Sequence, residues 1–321
     1  MLPLALAAVA YSPANDAAPS APRVEISPGV YMPLMNFGSQ PDHKVAIKLG
    51  ARGLDSALTY GDAQQSEVGA AVRASGMPRS EFFVTTKVPC WPACDFLNQT
   101  GSKCPDRHSQ IAADVAHDLD VLGLDYVDLM LLHWPCDTRE DTVASYLQLE
   151  QYALSGKARA IGVSNFNASQ LEYLLPRVNI KPVLNQCGYS IAGHTRSYWG
   201  RDDETKAYCD AAGITYAAYS PLGGVALGGA GYVLKHPTVR AVAAAHNRST
   251  AQACTAVGKG RGCVGSTRGR APALRRTHTH ARLAGGATLG GAAGRARGDR
   301  VRQRRPPRGR SRGVLLRAER R

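Results

Sequence analysis

The sequence predicts an α/β chain that folds as a (β/α)8 TIM barrel with an N-terminal hairpin. Three observations point there. Apolar runs alternate with amphipathic stretches seven times along the body, the pattern of parallel strands joined by crossover helices. The strand-like runs are continuously apolar, as expected when both faces of a parallel sheet are buried. Successive strands also end on polar side chains that chemistry uses: Asp55, Lys87, His133, Ser164-Asn165, Gln186 and Tyr219. An open doubly wound sheet builds its site at one switch point and would draw on few strands. A closed barrel brings every strand end to one mouth.

The stretch "VEISPGVYMP" reads as a hairpin closing the barrel floor, with Pro28-Gly29 at the turn. Strands are expected over 33–37, 53–57, 82–87, 126–133, 158–164, 182–187 and 214–219. Helices are expected over 43–50, 66–75, 108–122, 143–155, 168–175, 203–212 and 237–245. Segment 88–106 is an insertion directly after Lys87, carrying Cys90, Trp91, Cys94 and Cys104. A loop there covers the barrel mouth and shapes substrate choice. An eighth strand is not legible, because "HPTVRAVAAAHNRSTAQA" continues a helical pattern and then gives way to "CTAVGKGRGCVGSTRGR". No G-x-G-x-x-G follows a strand, and "GKGRGC" at Gly258 lies in that degenerate region.

The net charge of +14 invites a nucleic-acid reading, but its distribution undoes it. Residues 259–321 hold 19 basic and 2 acidic residues, which leaves 20 basic against 23 acidic in the rest. The expected organisation is a leader over 1–22, an incomplete barrel over 23–252, and an Arg/Gly/Ala-rich tail over 253–321. After Tyr232 there is no Phe, Tyr or Trp. Such a segment has too little apolar surface to offset its ordering entropy, so disorder is expected. An RGG-like nucleic-acid tail, a basic sorting tail and a slipped reading frame or splice site compete as its origin. The change falls inside a helical pattern, where a domain boundary is unexpected, and this favours the last. Nucleic-acid binding is therefore not expected. His278 and His280 lack positioned partners and read as solvated, so no metal is expected either.

No run of 18 apolar residues exists, so no transmembrane helix is expected. "LPLALAAVA" could serve as a short signal h-region, with Ala8-Val9-Ala10 as its cleavage site. The first basic residue is Arg23, however, so the charged n-region is missing. A cytoplasmic location is expected, with secretion as the alternative. Cys90, Cys94 and Cys104 match no zinc framework. Together with Cys136 they stay open between disulfides, if exported, and thiols, if not.

At this point the residues carry a resemblance. "LDSALTYGDAQQSEVGAAV", "FFVTTK", "LGLDYVDLMLLHWP", "GKARAIGVSNFN", "KPVLNQ" and "ITYAAYSPLG" resemble, in order, the signatures of the aldo-keto reductases over about residues 24–250. The resemblance implies a (β/α)8 barrel that reduces a small aldehyde or ketone with NADPH, acting as a monomer. It implies a catalytic tetrad of Asp55, Tyr60, Lys87 and His133. It further implies that Ser164, Asn165 and Gln186 bind the nicotinamide carboxamide and that Tyr219 stacks on its ring. Ser220 and Leu222 would flank the pyrophosphate, and Trp134 would line the substrate pocket beside Tyr60 and His133. Two departures from the family pattern stand out. The helix near 43–50 is about two turns short. The segment that should grip the adenosine 2′-phosphate is replaced, with Ser266, Thr267 and Arg268 as its only echo.

The chemistry asks for that tetrad. Hydride delivery to a carbonyl carbon leaves an alkoxide that must receive a proton. Tyr60 is a plausible acid, but an ordinary phenol titrates near ~10, high for work around neutrality. A cation close by lowers it, and Lys87 is the candidate, held in turn by Asp55. His133 can hydrogen-bond the carbonyl oxygen and orient it. Taken singly, Asp55 reads as a helix cap, Lys87 as a surface residue and His133 as a core histidine; the four together make that improbable. The competing readings are a catalytically impaired barrel that binds a cofactor or partner, and nucleic-acid binding through the tail.

Overall fold

Strands β1 (Arg23–Ser27) and β2 (Val30–Pro33) pair antiparallel around Pro28-Gly29, with Gly29 at φ 74°. This computed structural model describes residues 22–38, 42–95, 103, 108–190, 203–222 and 230–260. Residues 1–21 of the predicted leader, residues 96–102 and 104–107 of the insertion, and the tail beyond 260 lie outside them. So do Ser266, Thr267, Arg268, His278 and His280.

Seven parallel strands follow in one sheet whose spatial order is the sequence order. They are β3 (Asn36–Phe37), β4 (Gly53–Asp55), β5 (Phe83–Val88), β6 (Val127–Leu132), β7 (Ala158–Ser164), β8 (Leu184–Gly188) and β9 (Thr215–Tyr219). The crossover helices are α1 (His43–Lys48), α2 (Asp62–Ala74), α3 (Ile111–Leu122), α4 (Arg139–Leu154), α5 (Ala168–Leu174) and α6 (Asp203–Ala212). After β9 come α7 (Ala230–Lys235), α8 (Pro237–Ala245) and α9 (Thr250–Gly260). No eighth parallel strand occurs among the described residues, and α9 runs across the expected boundary at 252/253.

The helix starts are set by caps. Thr138 accepts from the Asp141 amide and starts α4, while Asn167 and Gln170 form a reciprocal capping box at α5. Helix α2 lies so close to the end of α3 that a Cβ at Gly69 would stand 1.7 Å from the Leu122 carbonyl oxygen. Any larger residue there forces the two helices apart.

Strand parity divides the core in two. Val84, Met130, Leu132, Ile161 and Val163 pack outward against Val68, Val72, Val115, Leu122 and Leu149 of the helices. Phe83, Leu129, Leu131, Ala160, Leu184 and Ala217 face the other way and pack on Ile26, Val30 and Met32 of the hairpin. The hairpin therefore closes one end of the inner face, as expected from sequence. Side chains alternate faces along a strand. Asp55, Lys87, His133, Ser164, Gln186 and Tyr219 consequently share the inner parity and leave the sheet at the opposite, carboxyl end.

Near the floor, Asp128 accepts from the Val84 amide, Arg79 and Arg159 at 2.8–2.9 Å. Its side chain is buried. Removing one member of a fully buried charge cluster costs about 3–5 kcal/mol. Arg159 is half-exposed, so Asp128→Ala is expected to cost less, roughly 2–3 kcal/mol of unfolding free energy in urea titrations.

Candidate active site

The buried Lys87 ammonium, carried by β5, joins the ends of three chain segments. It donates to Asp55 Oδ1 at the end of β4, to the Ser56 carbonyl at 2.8 Å, and to the Tyr60 hydroxyl at 3.4 Å. Tyr60 closes a single 3-10 turn, Leu58–Tyr60, directly above β4. Burial alone would push the Lys87 ammonium down; Asp55 and Tyr60 outweigh it and hold the group above the ordinary lysine value. Lys87 is thus a permanently charged buried cation.

The second oxygen of Asp55 accepts from Gln186 Nε2 at 2.8 Å. Strands β4 and β8 are four places apart in the sheet, so this bond spans the lumen and requires the sheet to be curled. From Gln186 the network continues along the rim. Ser164 Oγ donates to the Gln186 carbonyl at 2.8 Å, and Asn165 Nδ2 donates to Ser164 Oγ at 3.2 Å and to the His133 carbonyl at 3.0 Å. The Tyr219 hydroxyl donates to Asn165 Oδ1 at 2.9 Å. Asn165 and Ser220 both sit at positive φ, 64° and 53°, in the left-handed region that non-glycine residues rarely adopt. Backbone held this way at the rim turns the Asn165 side chain back over the strand ends.

His133 follows β6. Its ring lies edge-on to Tyr60, with centroids 6.1 Å apart, and stacks on Trp134 at 4.4 Å. Burial, and secondarily the Lys87 charge, hold its pKa well below the ordinary histidine value, so the imidazole is neutral around pH 7. Trp134 donates its indole N–H to the Cys90 carbonyl at 2.9 Å and meets Trp91 in a T-shaped contact at 5.4 Å.

Ten of the eleven site residues expected from sequence therefore surround one mouth. Leu222 differs: it packs beside Val233, Val239 and Cys254, in the small cluster formed by α7–α9. Sequence reasoning missed Thr59, whose Oγ1 lies 3.2 Å from His133 Nδ1. It also left the cysteines open, and the structure joins Cys90 to Cys136 in a disulfide. A signal was present: each cysteine follows its strand-end residue, Lys87 or His133, by the same three positions. Asp118 was missed too. It sits on the apolar face of α3 with Ile111, Val115 and Leu122, and is fully buried. Among the described residues no group of three His, Cys, Asp or Glu could hold a metal ion. No helix described is long and apolar enough to cross a membrane.

The aldo/keto reductase family pattern matches residues 39–263. Morphine 6-dehydrogenase of Pseudomonas putida is 33% identical over 246 residues, covering 72% of this chain and 76% of that protein. Glyoxal reductase of Bacillus subtilis is 34% identical over 239 residues, 71% of this chain and 75% of that one. Among solved structures, an aldo/keto reductase from Brucella melitensis superposes with a TM-score of 0.61 at 27% identity, covering 75% of this chain and 86% of its own. An aldo-keto reductase from Bombyx mori in complex with NADP gives 0.58 at 27% identity, covering 76% and 82%. That family is built on the (β/α)8 barrel and reduces small carbonyl compounds with nicotinamide cofactors. With this fold, strand-end constellation and match over most of its length, the chain belongs to the aldo/keto reductase family.

Proposed function

We propose that this protein reduces an aldehyde or ketone to the alcohol with NADPH, using Tyr60 as the proton donor. The observation that carries the reading is the Lys87 ammonium bonded at once to Asp55 and Tyr60 on the inner face of the strand ends. The rim fits a nicotinamide. Ser164, Asn165 and Gln186 offer hydroxyl and amide groups matched to a primary amide, and Gln186 Oε1 has no protein partner among the described residues. Tyr219, beside Asn165, presents an aromatic face suited to a flat ring. When bound, NADPH supplies the hydride.

The protein's own groups then act on the substrate oxygen. Neutral His133 and the Tyr60 hydroxyl hold the carbonyl oxygen by hydrogen bonds, polarising and orienting it. Tyr60 passes its proton to that oxygen as the alkoxide forms. The Lys87 charge beside the phenol oxygen stabilises the phenolate left behind, and Asp55 keeps the ammonium in place. Trp134 and Trp91 wall the substrate side and exclude water. The preference for NADPH is supported by the Bombyx mori relative, whose structure is a complex with NADP.

Following nicotinamide absorbance with NADPH and NADH across small aldehydes and ketones tests this reading. Absence of turnover with every carbonyl compound, in protein that binds NADPH, would refute it. The wall makes a separate prediction. Trp91→Leu is expected to change KM several-fold for bulky aldehydes and leave kcat nearly unchanged, because it removes binding shared by ground and transition states. Steady-state kinetics on a graded aldehyde series measures the split.

A further inference from the structure

We propose that Thr59 is a positioning residue that sets the tautomer of His133, donating its hydroxyl proton to Nδ1 so that Nε2 carries the N–H offered to the substrate oxygen. This inference deepens the carbonyl-reducing reading and rests on it. A neutral imidazole has one donor and one acceptor nitrogen, and the partner of one nitrogen decides the role of the other. His133 is neutral at working pH, so its tautomer must be chosen.

Each degree of freedom of His133 is restrained by a different neighbour. Asn165 Nδ2 holds its backbone carbonyl at 3.0 Å. Trp134 fixes the ring plane by stacking at 4.4 Å with the planes 26° apart. Neither contact distinguishes the ring from the same ring turned over. Thr59 Oγ1 does so, because it meets Nδ1 at 3.2 Å, while Nε2 has no protein partner among the described residues. A hydroxyl can donate or accept. Only donation to Nδ1 gives His133 the Nε2 proton that a carbonyl oxygen, an acceptor, can use. Thr59 belongs to the same 3-10 turn as Tyr60, so one turn of backbone places the proton donor and orders the group facing it. Thr59 itself is exposed and bears no core packing, which makes its hydroxyl removable without unfolding the barrel.

The test uses full-length protein labelled with 15N-histidine. The His133 signals are assigned by their loss in His133→Gln. Wild type is expected to show a protonated Nε2 and a bare Nδ1. Thr59→Val, which keeps the shape and removes the hydroxyl, should shift the signals toward a tautomer mixture, and Thr59→Ser should restore them. In kinetics, Thr59→Val should lower kcat about fivefold to tenfold with little change in KM or NADPH binding, the loss of one hydrogen bond. Thr59→Ser should recover it. Wild-type His133 protonated on Nδ1, or signals unmoved in Thr59→Val, would overturn the inference. Signals that shift as expected in a protein with no carbonyl turnover would support the positioning and remove the catalytic reading instead.

Discussion

Tyr60→Phe is expected to abolish carbonyl reduction while leaving the barrel and its cofactor affinity intact. The substitution removes one oxygen, and that oxygen accepts from Lys87 at 3.4 Å without bonding the Asn165–Gln186 rim. Loss of a positioned general acid lowers rates by roughly 10²–10⁴-fold. The fall should appear in kcat, because the missing proton transfer occurs only on the way to the transition state. NADPH titration by fluorescence should give a Kd near that of wild type. Lys87 keeps Asp55 and the Ser56 carbonyl as partners, so thermal unfolding should change little. Retained turnover in folded Tyr60→Phe would remove Tyr60 from the mechanism.

Asp118→Asn is expected to stabilise the protein, and to do so only above acid pH. Neither oxygen of Asp118 meets a well-oriented donor on the buried face of α3. Burial pushes its carboxyl from 3.8 up to about 7; Asp114 adds to the rise, while Thr86, Lys87 and His117 oppose it. Because the folded-state pKa is raised, the folded chain binds more protons than the unfolded one between about pH 4 and pH 7. Stability therefore falls as pH rises through that window and is level above it. Three units correspond to about 4 kcal/mol. The asparagine stays neutral, so it should gain roughly 2–4 kcal/mol at about pH 8 and little near pH 4. Urea unfolding of both proteins across that range decides it. Parallel pH curves for the two would show that Asp118 does not titrate with folding.

Most of the barrel was legible in the sequence because continuous apolar strands and amphipathic helices have different periods. Strand 158–164 and helices 203–212 and 237–245 have the observed limits. Helix α4 begins at Arg139 rather than 143, because Thr138 caps it and the polar first turn carries no apolar stripe to read. Helix α2 begins at Asp62 rather than 66: its polar first turn likewise carries no apolar stripe, and it follows a glycine at φ 90° without a side-chain cap. Helix α7 was not read, and α9 was read only as the continuation, to residue 253, of the helical pattern that starts at 236. The first is six residues long, and the second runs on into the Gly- and Lys-containing sequence that was read as the start of the tail. At the site, strand-end residues were readable because parity and chain order place them. Thr59 was not: its role depends on a 3.2 Å contact across 74 residues, and a threonine in a turn carries no signal of its own. The Asp118 environment was equally hidden, since a lone acid on an apolar helix face reads as a break in the pattern.

The hydrogen bond from Gln186 to Asp55 has a genetic consequence. It acts as a chord across the lumen, fastening strands that are not neighbours and sharing one carboxylate with Lys87. Positions on the second and sixth strands of the sheet are therefore one unit under selection. A change at 186 alters the field in which Lys87 is held, and a change at 55 takes an acceptor from both Lys87 and Gln186 at once. Effects at 55, 87 and 186 should show epistasis, with double substitutions costing less than the sum of the single ones. The chord therefore admits only coordinated replacements.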